Sequence, residues 1–195
     1  LDGNLIFEGE FKNDNKWNGK GYDGFDNIVY ELENGKGFIK EYIKSGVVMF
    51  EGYYLNGKKF GIEYDYDGNI EFEGEYLNEK RNGKGKEYNR YGNLIFEGEF
   101  KNGNKWNGKG YDRFDNIIYE LKNGKGYVKE YEFNGSLKFE GEYNNGKRNG
   151  KGKEYVYNGK LEFVGEYLNG NKLRGKEYST KENLLFEGEY LYRFK

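Results

Sequence analysis

Three residue types are missing from this chain of 195 residues: it contains no cysteine, no histidine and no proline. Without cysteine there are no disulfide bonds and no thiolate metal ligands. Without histidine the commonest general base and the commonest transition-metal ligand are missing, so we predict no catalytic activity and no metal or cofactor. Without proline, nothing in the chain blocks continuous pairing of β-strands.

Aliphatic residues and long apolar segments are also scarce. Hydrophobic residues make up 35% of the chain, and more than half of these are aromatic, since aromatic residues make up 19%. The longest wholly apolar run is Val47–Phe50, whereas a transmembrane helix needs about 20 residues. An excess of one charge is missing too, because 32 Lys and Arg stand against 34 Asp and Glu. A balanced surface has no long-range field that attracts a polyanion, so we predict no nucleic-acid partner.

What the chain has is an internal repeat punctuated by 32 glycines. A Phe-Glu-Gly-Glu-aromatic string and its variants recur every 20 to 24 residues, and a fixed period of that length is typical of repeat proteins. Residues 3–42 recur at 92–131 with six mismatches, which indicates duplication of a larger block. We therefore expect a single array over residues 1–195 with about nine units, which start near Phe7, Tyr30, Phe50, Phe72, Phe96, Tyr119, Phe139, Phe163 and Phe186.

Residues 72–88 show what one unit predicts. Because side chains alternate along a strand, Phe72, Gly74 and Tyr76 share one face of a first strand. Gly83 and Gly85 are predicted to share one face of the second strand. Glycines leave slots in which rings from neighbouring strands can lie. The same structural positions recur in a second clear unit at Phe139, Gly141, Tyr143, Gly150 and Gly152.

The repeat predicts an all-β fold. Short links join the units, so consecutive hairpins are neighbours in space. We expect an elongated, twisted, single antiparallel sheet of tandem β-hairpins, solenoid-like, with about seventeen strands. If glycine pairs with glycine across a hairpin, Glu73 and Glu75 face lysines of the next strand.

The spacing aromatic-x-Gly-x-aromatic-x-x-Gly-x-x-x-Gly-x-Gly resembles the membrane occupation and recognition nexus repeat, or MORN repeat. The unit that begins at residue 139 matches it in full at Phe139, Gly141, Tyr143, Gly146, Gly150 and Gly152. The resemblance covers essentially the whole chain, although the units at Tyr30 and Tyr119 are shortened. It implies an array of β-hairpins with a groove along one face. It also implies several roles: scaffolds, dimerisation rods, membrane-contact modules and accessory segments of enzymes.

Three functions follow as expectations. The first is a non-enzymatic structural or scaffold module that binds a protein partner, or a second copy, through the array ends or the aromatic face. The second is a peripheral membrane module that binds anionic phospholipid, motivated by basic residues such as Lys80, Arg81, Lys84 and Lys86. The third is an accessory domain of a larger enzyme, since the chain opens within a repeat and is expected to be a segment of a longer protein. Its location, whether soluble and cytoplasmic or peripheral to a membrane, is not indicated.

The best candidate contact surface is the Lys-Trp-Asn-Gly-Lys-Gly-Tyr-Asp segment, which occurs twice and contains the only two tryptophans. Tryptophan and tyrosine are favoured in binding hot spots. The alternative is that each tryptophan fills a wider hairpin with one extra loop residue. The candidate residues are Trp17, Tyr22 and Phe25 in the first copy and Trp106, Tyr111 and Phe114 in the second.

Two other patterns are interpreted as structural. The glutamate pairs, such as Glu73 and Glu75, occupy equivalent solvated positions in many units, whereas a catalytic pair needs one environment that separates two pKa values. The alternating oxygen-bearing side chains of Asp65, Asp67 and Asn69 look like calcium ligands, but no glutamate closes the loop, and a turn is favoured.

Overall fold

The computed structural model describes residues 6–43, 45–132 and 134–190. Residues 3–5, where the duplicated block begins, lie outside this part. The described chain is all-β, with no helix that could cross a membrane. The predicted fold class, antiparallel β-hairpins in tandem, is confirmed. The strands are β1 (Phe7–Lys12), β2 (Asn15–Tyr22), β3 (Ile28–Leu32), β4 (Lys36–Tyr42), β5 (Val48–Leu55), β6 (Lys58–Tyr64), β7 (Ile70–Leu77), β8 (Lys80–Tyr88), β9 (Leu94–Lys101), β10 (Asn104–Tyr111), β11 (Ile117–Leu121), β12 (Gly126–Tyr131), β13 (Leu137–Asn144), β14 (Lys147–Tyr155), β15 (Leu161–Leu168), β16 (Asn171–Tyr178) and β17 (Leu184–Glu189).

The chain divides into two compact units, Leu1–Asn93 and Leu94–Lys195. In the first unit β1 to β3 pair in sequence order, and so do β4 to β8. In the second unit β9 to β11 pair in sequence order, and so do β12 to β17. Every pairing with a defined register is antiparallel, because each strand returns along its predecessor through a short turn.

The single sheet expected from the sequence is interrupted at the shortened units. Between β3 and β4 the described residues show one isolated bridge, Glu33 to Lys36, around a tight turn. The turn residue Gly35 donates its N–H to the carbonyl of Trp17 (2.7 Å) and accepts the N–H of Asn56 (2.8 Å), so its backbone bonds connect two neighbouring hairpins. The same break recurs in the second unit between β11 and β12. At both breaks the backbone N–H and C=O of the turn glycine, Gly35 or Gly124, bond to neighbouring hairpins.

In each unit the core contains phenylalanine rings that lie over glycines. Gly74 pairs with Gly85 across the β7–β8 hairpin. A Cβ on Gly85 would come within 2.2 Å of Cζ of Phe72, so this ring fills the space that the glycine leaves. Phe72 is fully buried. The equivalent rings at Phe96, Phe139 and Phe163 are fully buried too.

Gly83 does not lie on the face of β8 that the sequence predicts. Gly83 was expected beside Gly85, but the register shifts between Gly74 and Tyr76, so Gly83 lies in a β-bulge. Its φ is +110°, and a Cβ there would meet the carboxylate of Glu75 at 2.6 Å. Glu73 pairs with Lys86 as expected, whereas Glu75 instead accepts the backbone N–H of Lys84 (3.3 Å). Gly150 occupies the same bulge position in the β13–β14 hairpin, with φ +101°.

Candidate functional site

The aromatic face carries a contact that recurs in every long hairpin: a cation lies over the buried ring of the residue nine positions earlier. Arg148, for example, places its guanidinium carbon 4.0 Å from the ring centroid of Phe139. The hairpin produces this spacing, because the strand that follows the turn returns beside the ring. Such contacts are electrostatically favourable, and more so when partly desolvated. The other pairs are Lys16 with Phe7 (5.3 Å), Lys59 with Phe50 (4.6 Å), Arg81 with Phe72 (4.6 Å), Lys105 with Phe96 (5.1 Å) and Lys172 with Phe163 (4.6 Å).

In two of the long hairpins a second ring links the phenylalanine of its own hairpin to that of the preceding one. Tyr76 packs edge-on against Phe72 (centroids 5.3 Å apart) and against Phe50 of the preceding hairpin (5.4 Å). Tyr167 does the same with Phe163 (5.3 Å) and Phe139 (5.4 Å). Edge-on packing of this kind adds to the free energy gained by burial. Ring contacts therefore join the β5–β6 hairpin to the β7–β8 hairpin in the first unit, and the β13–β14 hairpin to the β15–β16 hairpin in the second.

Carboxylates from neighbouring hairpins neutralise these cations. Lys59, whose side chain is 6% exposed, lies 2.9 Å from a carboxylate oxygen of Glu41 and 2.6 Å from one of Glu79. Burial lowers the pKa of Lys59, but attraction to Glu41 and hydrogen bonds to both glutamates outweigh burial and raise it. This lysine is therefore held in its charged form.

The two arginines form networks of the same kind. Arg81 pairs with three carboxylates, at 2.8 Å, 3.0 Å and 3.2 Å, which belong to Glu63, Glu71 and Glu87. Arg148 pairs with Glu130 (2.7 Å) and with Glu154. Burial is the largest single influence on Glu130 and raises its pKa, but the hydrogen bond and charge of Arg148, together with the hydrogen bond from Tyr143, outweigh burial and lower that pKa overall. Each partly buried charge on this face thus has a fixed partner.

Sequence reasoning missed most of this network. The lysines at 16, 59, 105 and 172 were not singled out, although their constant separation of nine residues from a phenylalanine is visible in the sequence. The basic row proposed for phospholipid does not form an unopposed patch. Arg81 lies in the partly buried network, and Lys86 is opposite Glu73. Lys80 and Lys84 are exposed.

The two tryptophans are the extra residues of their hairpins. In the β1–β2 register Glu10 pairs with Asn18 and Phe11 pairs with Lys16, which leaves Trp17 unpaired in a bulge. Its half-buried ring lies against the turn glycine, since a Cβ on Gly35 would come within 2.7 Å of it. Lys12 covers the ring at 4.2 Å from its centroid.

Trp106 repeats the arrangement, with Gly124 on one side and Lys101 at 4.5 Å from its centroid. Leu173 occupies the corresponding bulge position of the β15–β16 hairpin, between the paired residues Lys172 and Arg174. The position therefore accepts an aliphatic side chain. This packing favours the structural interpretation of the tryptophans over the contact-surface interpretation.

The other candidate residues lie at the opposite end of the strand. Tyr22 is five residues from Trp17 along β2, or about 17 Å. It is half-buried and donates a hydrogen bond to Glu8 (3.0 Å). Phe25 lies in the following loop and is 65% exposed. The structure therefore does not bring Trp17 and Phe25 into one site. Their counterparts in the second unit are a half-buried Tyr111 and an exposed Phe114.

The loops that join the hairpins present exposed rings. In the first unit these are Phe25, Tyr66 and Tyr91, and in the second unit they are Phe114 and Tyr157. In the Tyr66 loop the backbone is held by the calcium-like pattern, since Asp65 accepts the N–H groups of Asp67 (2.9 Å) and Asn69 (2.8 Å). The hydrogen bond from the Asn69 side chain lowers the pKa of Asp65. Among the described residues no cluster of acids is arranged to hold a metal ion.

No known protein-family model matches the chain, and no curated protein matches it either.

Proposed function

We propose that the chain is an array of MORN-type repeats that works as a non-enzymatic scaffold, binding a protein partner or a second copy of itself. The observation that carries the proposal is the repetition of one contact, ring, cation and carboxylate, in equivalent places along both units. Catalysis needs one environment set apart from the others, with unequal pKa values. A repeated, internally neutralised face suits a rigid support.

The outer strands support self-association through the array ends. Within the described residues β1 is paired on one side only, with β2, and β17 is paired on one side only, with β16. An edge strand offers unpaired N–H and C=O groups to another strand. Leu185 on β17 is 67% exposed, which adds apolar surface at that edge.

Light scattering across a dilution series tests this function. The expected result is a mass above that of the monomer that falls on dilution, or a specific partner retained in a pull-down. Leu185→Lys should reduce self-association at the β17 edge. Leu168→Lys is the matched control, because Leu168 is 39% exposed on the interior strand β15, and it should leave self-association unchanged. A strictly monomeric chain that retains no partner would contradict the proposal.

A second candidate function is binding to anionic phospholipid, and the loop rings favour it. Tyr66 and Tyr91 are 74% and 53% exposed, and amphipathic rings suit the boundary between water and lipid. The test is flotation with vesicles that contain or lack phosphatidylserine. Tyr66→Ser with Tyr91→Ser should reduce flotation, whereas Tyr127→Ser, at an exposed ring within a strand, should not. Equal recovery from both vesicle types would end this idea.

A further inference from the structure

Three exposed rings lie side by side on the outer face of the first unit. Phe38 on β4 pairs in register with Tyr53 on β5, which pairs with Phe60 on β6. They are 48%, 68% and 55% exposed, and the first two rings pack edge-on with centroids 5.3 Å apart. Single exposed apolar residues are ordinary, but a contiguous cluster marks an interaction surface.

This row departs from the repeat. Where the first strand of the other long hairpins carries glutamate, β5 carries Tyr53; the glutamates are Glu10, Glu75, Glu99, Glu142 and Glu166. The equivalent row of the second unit has Tyr127 facing Glu142. A position that the sheet fills with glutamate elsewhere has no structural need for tyrosine, so the packing of the repeat does not account for the aromatic row.

The next row toward the hairpin turns alternates lysine with leucine. Lys36, Leu55, Lys58, Leu77 and Lys80 are register partners across β4 to β8. Both leucines are exposed, and the three lysines have no ion pair within the described part of the chain. The row therefore adds apolar surface to the rings and a line of uncompensated positive charge beside them.

The opposite side of the aromatic row is neutral. Glu51 is paired with Lys40 (2.8 Å) and Glu73 lies opposite Lys86. A ligand on the rings consequently meets positive charge along the lysine flank, and the row itself ends on β7 at Glu75, the register partner of Phe60. By charge complementarity, the ligand of this surface should have an apolar stripe with acidic groups along one side of it.

We propose that this outer aromatic patch (Phe38, Tyr53, Phe60, Leu55 and Leu77), with its lysine row, binds an acidic amphipathic α-helix of a partner protein. The proposal rests on the scaffold function and specifies its partner. The lysines lie on alternate strands, about 9.6 Å apart. Residues i and i+7 of a helix lie on one face about 10.5 Å apart, whereas an extended chain repeats one side every 6.7 Å or so. A helix lying across the strands thus matches the lysine row.

A synthetic amphipathic peptide of about 18 residues tests the proposal, with a leucine and tryptophan stripe and glutamates at i and i+7 along one flank. Its affinity for the 195-residue chain is measured by fluorescence anisotropy. A peptide with lysines in place of the glutamates, and one with the glutamates moved opposite the stripe, are the ligand controls. We expect the acidic peptide to bind most tightly.

Two variants connect binding to the patch. Tyr53→Glu restores the residue of the other repeats, so the fold should persist, and removal of a central aromatic anchor should weaken binding by about tenfold or more. Lys58→Glu should also weaken binding of the acidic peptide and strengthen binding of the basic one. Tyr127 is an exposed ring of the second unit that faces Glu142, and Tyr127→Glu should leave the affinity for the acidic peptide unchanged.

Other outcomes overturn the proposal. Binding that survives Tyr53→Glu, or equal binding of acidic and basic peptides, would show that the patch does not select this ligand. If Tyr53→Glu abolishes self-association or vesicle binding and no peptide binds, the occupant is a second copy or a lipid surface. Self-association that persists in Tyr53→Glu, with no peptide binding, would reject the patch and leave the scaffold function standing.

Discussion

At the scale of the residue, the glycines opposite the rings determine how the core packs. Gly85 adopts an ordinary backbone conformation, so a substitution there tests space alone. A larger side chain would displace the ring of Phe72, because even a Cβ lies 2.2 Å from it. We expect Gly85→Val to lower the free energy of unfolding by about 3 kcal/mol in urea titrations. Gly92→Asn is the control: no atom lies within 4 Å of a Cβ there, and asparagine tolerates its φ of +78°. Equal stability of the two variants would contradict the ring-in-slot packing.

Partly buried and exposed ion pairs should differ sharply. Arg148 covers the ring of Phe139 and pairs with two carboxylates, and its side chain is 19% exposed. Arg174→Met removes an exposed pair that water and salt screen, and it should leave stability almost unchanged. Arg148→Met leaves Glu130 without its ion-pair partner and Glu154 paired with Lys172 alone, and it should cost about 3 kcal/mol at neutral pH, as judged by urea unfolding. A near-zero effect at Arg148 would mean that the network contributes nothing to stability.

Stability should fall in acid, and Glu130 contributes to this. Its pKa is below the ordinary value of 4.5, because the hydrogen bond and charge of Arg148 and the hydrogen bond from Tyr143 together outweigh burial. The folded chain then binds the proton less tightly than the unfolded chain, so the contribution is complete above pH 4.5 and is lost as the pH falls through the lowered pKa. Glu130→Gln should lose stability at neutral pH and show a weaker pH dependence of its urea midpoint. Parallel pH curves for the variant and the parent chain would refute this.

At the scale of the element, each tryptophan hairpin is built around one inserted residue. Trp106→Leu reproduces the side chain found at Leu173, so the bulge should survive at a cost of about 1 kcal/mol. Trp106→Ala leaves a gap against Gly124 and should cost about 3 kcal/mol in thermal or urea unfolding. If alanine is tolerated as well as leucine, the ring is not a packing element, and the contact-surface interpretation gains.

The hairpins could be predicted from the sequence because alternation and glycine spacing are local. The bulges could not be predicted. Between the paired residues Gly74–Gly85 and Tyr76–Arg81, strand β8 has two more residues than β7, and this places Gly83 on the opposite face from Gly85. The breaks at β3–β4 and β11–β12 depend on backbone hydrogen bonds from a turn to neighbouring hairpins. The cation over each phenylalanine and the outer aromatic patch depend on register between strands. One strand's sequence pattern does not contain that information.

At the scale of the whole molecule, the duplication allows features shared by both units to be compared with features found in one unit. The buried rings, the tryptophan bulges and the shortened hairpins occur in both units. The row formed by Phe38, Tyr53 and Phe60 occurs in the first unit alone among the described residues. Features common to the two copies are explained by folding, so functional differences are best sought where the copies diverge.

The division into two units predicts where the chain can be cut. In repeat proteins each unit contacts its neighbours, so stability is spread along the chain. A fragment of residues 94–195 keeps β9 to β17 complete and should unfold cooperatively with native-like circular dichroism. A fragment of residues 102–195 loses β9 and with it the fully buried Phe96, which stacks on Tyr119 (centroids 6.3 Å apart). Loss of that ring should cost about 3 kcal/mol or more relative to the longer fragment. If residues 94–195 are unfolded in isolation, the second unit depends on the first, and the boundary at Asn93 has no meaning for stability.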